Sequence, residues 1–310
     1  MNLFKTKIAF SAIMLFSILL CNCQSRDKNQ NLITTVSTAE KTDNFPVEKP
    51  EPPMYTNLAA FQSISIAGHA VDIALPDSGV AYAGNIVVLP GYNYPRSHWC
   101  EQTHAPQLCS LAKAKGYVLI MPEMGRSVYS SEFFPETRAD LQQYPKRQWL
   151  SDSVFSYLQN SYNLLLPEQN NYLLGLSTGG RGVALVALDK PLFFSAVAAL
   201  SGDFDQSKMP TDKLMSNYYG AYSKFKARWE TVDNVLHRVA EWQTPIYIGH
   251  GQMDKIVPPE QSKLFYDSLC LHFDTTKIEL HEPKEHAHDY TYWGAETEAV
   301  LNFFGRFKKN

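Results

Sequence analysis

The residues of this sequence best suited to chemistry are Gly175-Leu176-Ser177-Thr178-Gly179. A serine hydroxyl is a weak nucleophile until geometry and neighbours activate it. Here an apolar run, Tyr172 to Leu174, stops at the first glycine, and a segment of helical character, Arg181 to Leu188, follows the second. G-x-S-x-G between a strand and a helix describes a tight turn that leaves the serine Oγ exposed above a sheet edge. The glycines remove the side chains that would hold strand and helix apart. The Thr178 backbone N–H then lies at a helix N-terminus, where it can bind an oxyanion. A glycine-rich turn that only packs is the alternative reading.

A serine nucleophile needs a base, and the base needs a carboxylate to orient it. Both types lie downstream. His250-Gly251-Gln252-Met253-Asp254 follows an apolar run, which makes Asp254 the leading acid. Asp203, after an earlier run, is its alternative. Further on stands His286-Ala287-His288-Asp289-Tyr290-Thr291-Tyr292-Trp293. His288 is the leading base and His286 competes with it. The chain order is then serine, aspartate, histidine. His250, just before a glycine, reads as a packed structural residue.

Elements must bring these positions together. The pattern predicts a hairpin over 61–75 turning near Gly68, and strands at 85–89, 117–121, 172–174, 194–200, 246–248 and 277–281. Helices are expected over 106–115, 149–162, 181–188, 258–271 and 297–307, with 213–242 mostly helical. The strand cores are short continuous apolar runs that alternate with helices. That predicts an α/β fold, a mostly parallel central sheet with helices on both faces. Ligands of such sheets bind beyond the carboxyl ends of the strands. Gly91-Tyr92-Asn93, Glu123, Ser177, Asp203, Asp254 and His288 fall there.

The first residues have a different character. Lys5 and Lys7 precede an almost wholly apolar stretch, 8–20, with the shape of a signal-peptide core. It ends in Leu20-Cys21-Asn22-Cys23, which resembles a bacterial lipobox, and Cys23 fits better than Cys21 as the lipidated residue. Residues 1–22 then form a lipoprotein-type signal peptide, 23–54 a disordered polar tether, and 55–310 one large α/β domain. The expectation is an exported protein, lipid-anchored to a bacterial membrane at the periplasmic or cell-surface side. An ordinary secretory peptide is the alternative. The net charge of −3 gives no sign of nucleic acid binding, so membrane contact is expected through the lipid anchor only. Neither C-x-x-C nor H-x-x-x-H spacing suggests a metal, and no cofactor is expected. Of the five cysteines, Cys100, Cys109 and Cys270 lie in the domain. Cys100 pairing with Cys109 is favoured, with three free thiols the alternative.

Taken together, these motifs resemble the α/β-hydrolase superfamily and, within it, the serine esterase family that includes esterase D and the mycolyltransferases. The resemblance covers roughly 62–307. It rests on Gly175-Leu176-Ser177-Thr178-Gly179-Gly180, on the run from Val197 to Gly202, on His250-Gly251-x-x-Asp254, and on His288-Asp289-Tyr290-Thr291-Tyr292-Trp293. The last is similar to the family's H-D-W-x-x-W segment, with Tyr290 in place of the first Trp. The resemblance implies that Ser177 attacks an ester carbonyl, that His288 takes and returns its proton, and that Asp254 holds the histidine tautomer. It also implies an oxyanion hole made of the backbone N–H groups of Thr178 and Tyr92. Pro90-Gly91-Tyr92 stands where many relatives carry His-Gly or Gly-Gly runs. Tyr92, Trp99, Arg126, Tyr129, Tyr290 and Trp293 are candidates for lining a substrate cleft, with packing as the alternative. The expected activity is hydrolysis of a carboxylic ester, an acylated carbohydrate being one substrate class. An acyltransferase, or a non-catalytic tethered binding protein, is the competing function. A peptidase is disfavoured because nothing resembles the propeller or cap domains of the peptidase branches.

Overall fold

Short, continuously apolar runs form the central strands of the fold. The computed structural model describes residues 58–309 apart from Gln102. The signal peptide, Cys23 and the tether lie outside the described residues. Strand β1 (Phe61–Ile66) turns through Ala67 and Gly68, both with positive φ, into β2 (His69–Ala74). Strand β3 (Gly84–Leu89) follows, then helix α1 (Pro106–Ala114), β4 (Tyr117–Pro122), α2 (Phe155–Tyr162), β5 (Asn171–Leu176) and α3 (Thr178–Asp189). Strand β6 (Ala196–Leu200), helices α4 (Lys213–Tyr219) and α5 (Tyr222–Thr231), strand β7 (Ile246–Gly249), α6 (Glu260–Cys270), β8 (Ile278–His281), α7 (Tyr290–Ala295) and α8 (Thr297–Arg306) complete the order.

The eight strands form one sheet in the order β1-β2-β4-β3-β5-β6-β7-β8. β2 is antiparallel to both β1 and β4, and every other pairing is parallel. Side chains of β3 and β5 divide by turns between two apolar layers. Val87, Leu89 and Leu173 face a core shared with α2, α3 and α6. Ile86, Val88, Tyr172, Leu174 and Leu176 face a core shared with α1, α7 and α8. A strand covered on both faces has no polar side, which is why these runs are continuously apolar. The fold is the expected α/β-hydrolase fold.

Residues 213–242 are mostly helical, as expected, but the stretch is broken twice. Gly220 breaks it at φ +80°, where a Cβ would meet the Phe225 ring at 2.4 Å. Asp233, at φ +53°, breaks it again. Its buried carboxylate accepts the Ser131 N–H at 3.0 Å and the Tyr219 O–H at 3.2 Å, and pairs with Arg147. Helix α7 lies between the strand predicted at 277–281 and the helix predicted over 297–307, where the sequence pattern predicts no element. Asp289 caps it by accepting the Tyr292 N–H at 3.1 Å.

Cys100 and Cys109 form a disulfide with Cα atoms 5.2 Å apart, and Cys270 is free. Among the described residues, no helix is long and apolar enough to cross a membrane.

Candidate active site

Ser177 occupies the turn between β5 and α3 with φ 56° and ψ −125°. A non-glycine residue rarely adopts this conformation, which costs on the order of 1–3 kcal/mol and persists only where the surroundings enforce it. They do. The Ser177 N–H donates to the Leu200 carbonyl at 2.8 Å, and the Ser177 carbonyl accepts from Gly180 and Arg181 at 2.9 and 3.2 Å. A Cβ on Gly175 would lie 2.4 Å from the Gly179 oxygen, and one on Gly179 would lie 2.4 Å from the Leu89 oxygen. The backbones touch, so both positions admit only glycine.

His288 Nε2 lies 2.9 Å from Ser177 Oγ, and His288 Nδ1 lies 2.5 Å from Asp254 Oδ2. Each residue comes from the carboxyl end of a different strand: Ser177 after β5, Asp254 after β7, His288 after β8. Asp254 Oδ1 also accepts the N–H groups of Ile256 and Val257 at 2.8 and 2.9 Å. Burial pushes the Asp254 carboxyl upward in pKa, but hydrogen bonds from His250 and His288 outweigh it. The group is held well below the usual carboxylate range. It is therefore an acceptor only, so His288 carries its proton on Nδ1 and turns the Nε2 lone pair to the serine hydroxyl. The edge of the His288 ring meets the Trp293 ring with centroids 5.0 Å apart, which limits rotation.

His250 is packed, as expected, but it also has a partner the sequence reading did not foresee. It is wholly buried. Its Nε2 lies 3.1 Å from both Asp254 Oδ2 and the Val257 carbonyl, two acceptors, so it bears the proton. Its Nδ1 lies 2.7 Å from Ser262 Oγ and accepts from that hydroxyl. His250 thus grips the acid from behind.

The competing residues are engaged elsewhere. Asp203 pairs at 3.0 Å with Arg181, a wholly buried cation on α3 that sequence reasoning missed. The His286 ring packs on Tyr292 with centroids 5.3 Å apart, and its carbonyl accepts the Met253 N–H at 2.8 Å. A Cβ on Gly251 would meet that carbonyl at 2.4 Å, so the loops carrying acid and base are in backbone contact.

A Cβ on Gly91 would approach Ser177 Cβ to 3.2 Å, which puts the Pro90-Gly91-Tyr92 turn directly beside the serine. Among the described residues, neither the Tyr92 nor the Thr178 amide donates to an acceptor. The cleft expectations divide. Tyr290 lines a cavity of about 320 Å³ with Tyr94, His98, Thr103, His104, Thr291 and His288 itself. Trp99 and Tyr129 do not line it. Both are buried, and this corrects the expectation. The edge of Trp99 packs on Tyr290 with centroids 5.8 Å apart. Tyr129 donates its hydroxyl to the Pro90 carbonyl at 2.6 Å and so braces the turn beside Ser177. Trp293 is buried too, against His288, and its Nε1–H donates to Ser201 Oγ at 3.0 Å. Arg126 is half-exposed and pairs with Asp140 at 3.1 Å, away from this cavity.

A serine held on a strained turn, a histidine at hydrogen-bond distance and a buried carboxylate on a doubly covered parallel sheet define a serine hydrolase of the α/β-hydrolase class. A sequence model of the prolyl oligopeptidase family matches residues 103–310, and the chain belongs to that family. Compared by sequence with curated proteins, it has no match. Among solved structures it is similar to an S-formylglutathione hydrolase from Agrobacterium tumefaciens, at 13% identity and TM-score 0.62, covering 81% of this chain and 98% of that one. It is similar to Mycobacterium tuberculosis MPT51 at 15% identity and TM-score 0.62, covering 80% and 100%. An acylaminoacyl peptidase is similar at 17% identity and TM-score 0.56, over 81% of this chain but 41% of the peptidase. At these identities the likeness is one of fold.

Proposed function

We propose that the protein is an exported serine esterase, lipid-anchored through Cys23, that hydrolyses a carboxylic ester by way of an acyl-enzyme. The observation that carries the reading is the hydrogen-bonded series Ser177 Oγ, His288, Asp254. In this reading His288 Nε2 removes the Ser177 proton as Oγ attacks the ester carbonyl. The N–H groups of Tyr92 and Thr178 receive the oxyanion. His288 then protonates the leaving alcohol, and a water repeats the sequence to release the acid. An acylated carbohydrate is the substrate class that the sequence resemblance suggests.

Membership of the prolyl oligopeptidase family favours a second reading, cleavage of a peptide or acyl-amide bond. The ester reading is supported instead by the sequence resemblance to the esterase branch, carried by Gly175-Leu176-Ser177-Thr178-Gly179-Gly180 and His288-Asp289-Tyr290-Thr291-Tyr292-Trp293. A panel of p-nitrophenyl esters, acylated sugars and peptidyl p-nitroanilides separates the two. The expected result is turnover of esters, lost in Ser177→Ala. Turnover of anilides with higher kcat/KM than any ester would replace this reading with the peptidase.

A further inference from the structure

We propose that His98, Glu101 and His104 form a binding site for a divalent transition-metal ion of the zinc type, at the rim of the cavity that contains His288. One nitrogen of each histidine and one carboxylate oxygen of Glu101 lie within 4.8 Å of one another. His104 Nδ1 is 3.3 Å from Glu101 Oε2. The cluster is built by a tightly closed loop. Cys100 and Glu101 donate their N–H groups to the Ser97 carbonyl at 2.8 and 3.1 Å, and Ala105 donates to the His98 carbonyl at 3.3 Å. The disulfide from Cys100 to Cys109 ties the same loop to α1. A preformed loop lowers the ordering cost of binding an ion.

The donor set identifies the ion class. Two imidazoles and one carboxylate suit zinc and its neighbours, whereas calcium and magnesium prefer all-oxygen shells. Three protein ligands leave a coordination position open, as in zinc sites that bind water or substrate. The outer contacts that orient ligands are also present. Ser97 Oγ–H donates to Glu101 Oε1 at 2.5 Å, which leaves Oε2 toward His104. The Tyr290 ring meets both imidazoles edge-on, with centroids 5.3 and 5.2 Å away. His98 Nδ1 is buried and has no hydrogen-bond partner. The two imidazoles stack at 3.8 Å with 9° between their planes. Binding requires the stacked rings to tilt so that their donor nitrogens converge, because the donor atoms lie within 4.8 Å of one another, whereas ligand atoms about 2.1 Å from zinc lie roughly 3.4 Å apart in a tetrahedral shell. Loop side chains can close that distance by torsion alone.

The test uses the untagged protein with its disulfide intact, stripped by chelator and titrated with zinc by calorimetry and with cobalt(II) by visible absorption. One ion per chain is expected, with a zinc Kd of about 10 μM or tighter. His98→Ala, His104→Ala and Glu101→Gln should each weaken zinc binding at least about tenfold, and His286→Ala should leave it unchanged. Melting temperature without metal checks that each variant folds. Glu101 is exposed and His104 half-exposed, so those two variants keep the test intact even where His98→Ala fails to fold. Absence of saturable one-to-one binding, or a Kd unchanged in His104→Ala and Glu101→Gln, would overturn the site.

Discussion

Asp254 accepts hydrogen bonds from His250, His288, Ile256 and Val257, and that company explains its low pKa. Its folded-state pKa lies below the unfolded value. The stabilisation is therefore fully present above about pH 5 and drains away as pH falls below about 4. Asp254→Asn should be less stable than the parent at pH 7, with the gap narrowing steadily below pH 4. Urea unfolding across that range measures it, and a gap that stays constant contradicts the assignment. The two histidines give a second outcome at this scale. His288→Ala should lose at least about a thousandfold in kcat. His286→Ala should stay within about tenfold of the parent, a barrier change near 1.4 kcal/mol. The reverse ranking on one ester at saturating substrate would exchange their roles. At this scale Ser177, Asp254 and His288 were legible because their residue types and chain order are chemically unusual together. The grip of His250 on Asp254 was not, since a buried histidine before a glycine reads as packing. Trp99 and Tyr129 were misread because aromatic residues look alike in a core and in a cleft.

The turn from β5 to α3 works because its glycines let backbones touch. Gly179→Ala would drive a Cβ into the Leu89 and Pro90 oxygens at 2.4 and 2.6 Å. Backbone cannot yield as a side chain can, so the expected loss is about 1–3 kcal/mol or more, with activity falling alongside. Gly305, in α8, supplies the contrast: nothing lies within 4 Å of its Cβ position. Gly305→Ala should stabilise by about 0.5–1 kcal/mol. Thermal melts of the two variants check both, and equal effects would show that local geometry is not what separates them. Most elements could be read from apolar runs and turn residues. The order of the sheet could not, because the placing of β4 between β2 and β3 rests on pairings far apart in sequence. Helix α7 escaped because it is only six residues long and rich in aromatic side chains. It forms because Asp289 caps it and Tyr292 and Trp293 bury themselves in the core.

For the whole molecule, the doubly covered sheet accounts for one large catalytic domain, and the proposed lipid anchor accounts for the polar stretch before it. If Cys23 is the lipidated residue, Cys23→Ser should move the protein from the membrane fraction to the soluble one while leaving the specific activity of the domain intact. Mass spectrometry of the mature N-terminus gives the independent check. A start downstream of Cys23 without lipid would remove the anchor. The sequence resemblance led to the esterase branch, while the matching family takes its name from a peptidase. One fold serves both chemistries, and only the contents of the cleft decide between them.

All of the chemistry proposed for this protein depends on activation of Ser177 as the nucleophile. Reaction of the purified protein with a fluorophosphonate, followed by intact mass and peptide mapping, tests it most directly. One adduct per chain is expected, on the peptide containing Ser177. It should be absent in Ser177→Ala and formed at least about a thousandfold more slowly in His288→Ala. A folded parent that does not label, or a Ser177→Ala variant that labels at the parent rate, would contradict the account.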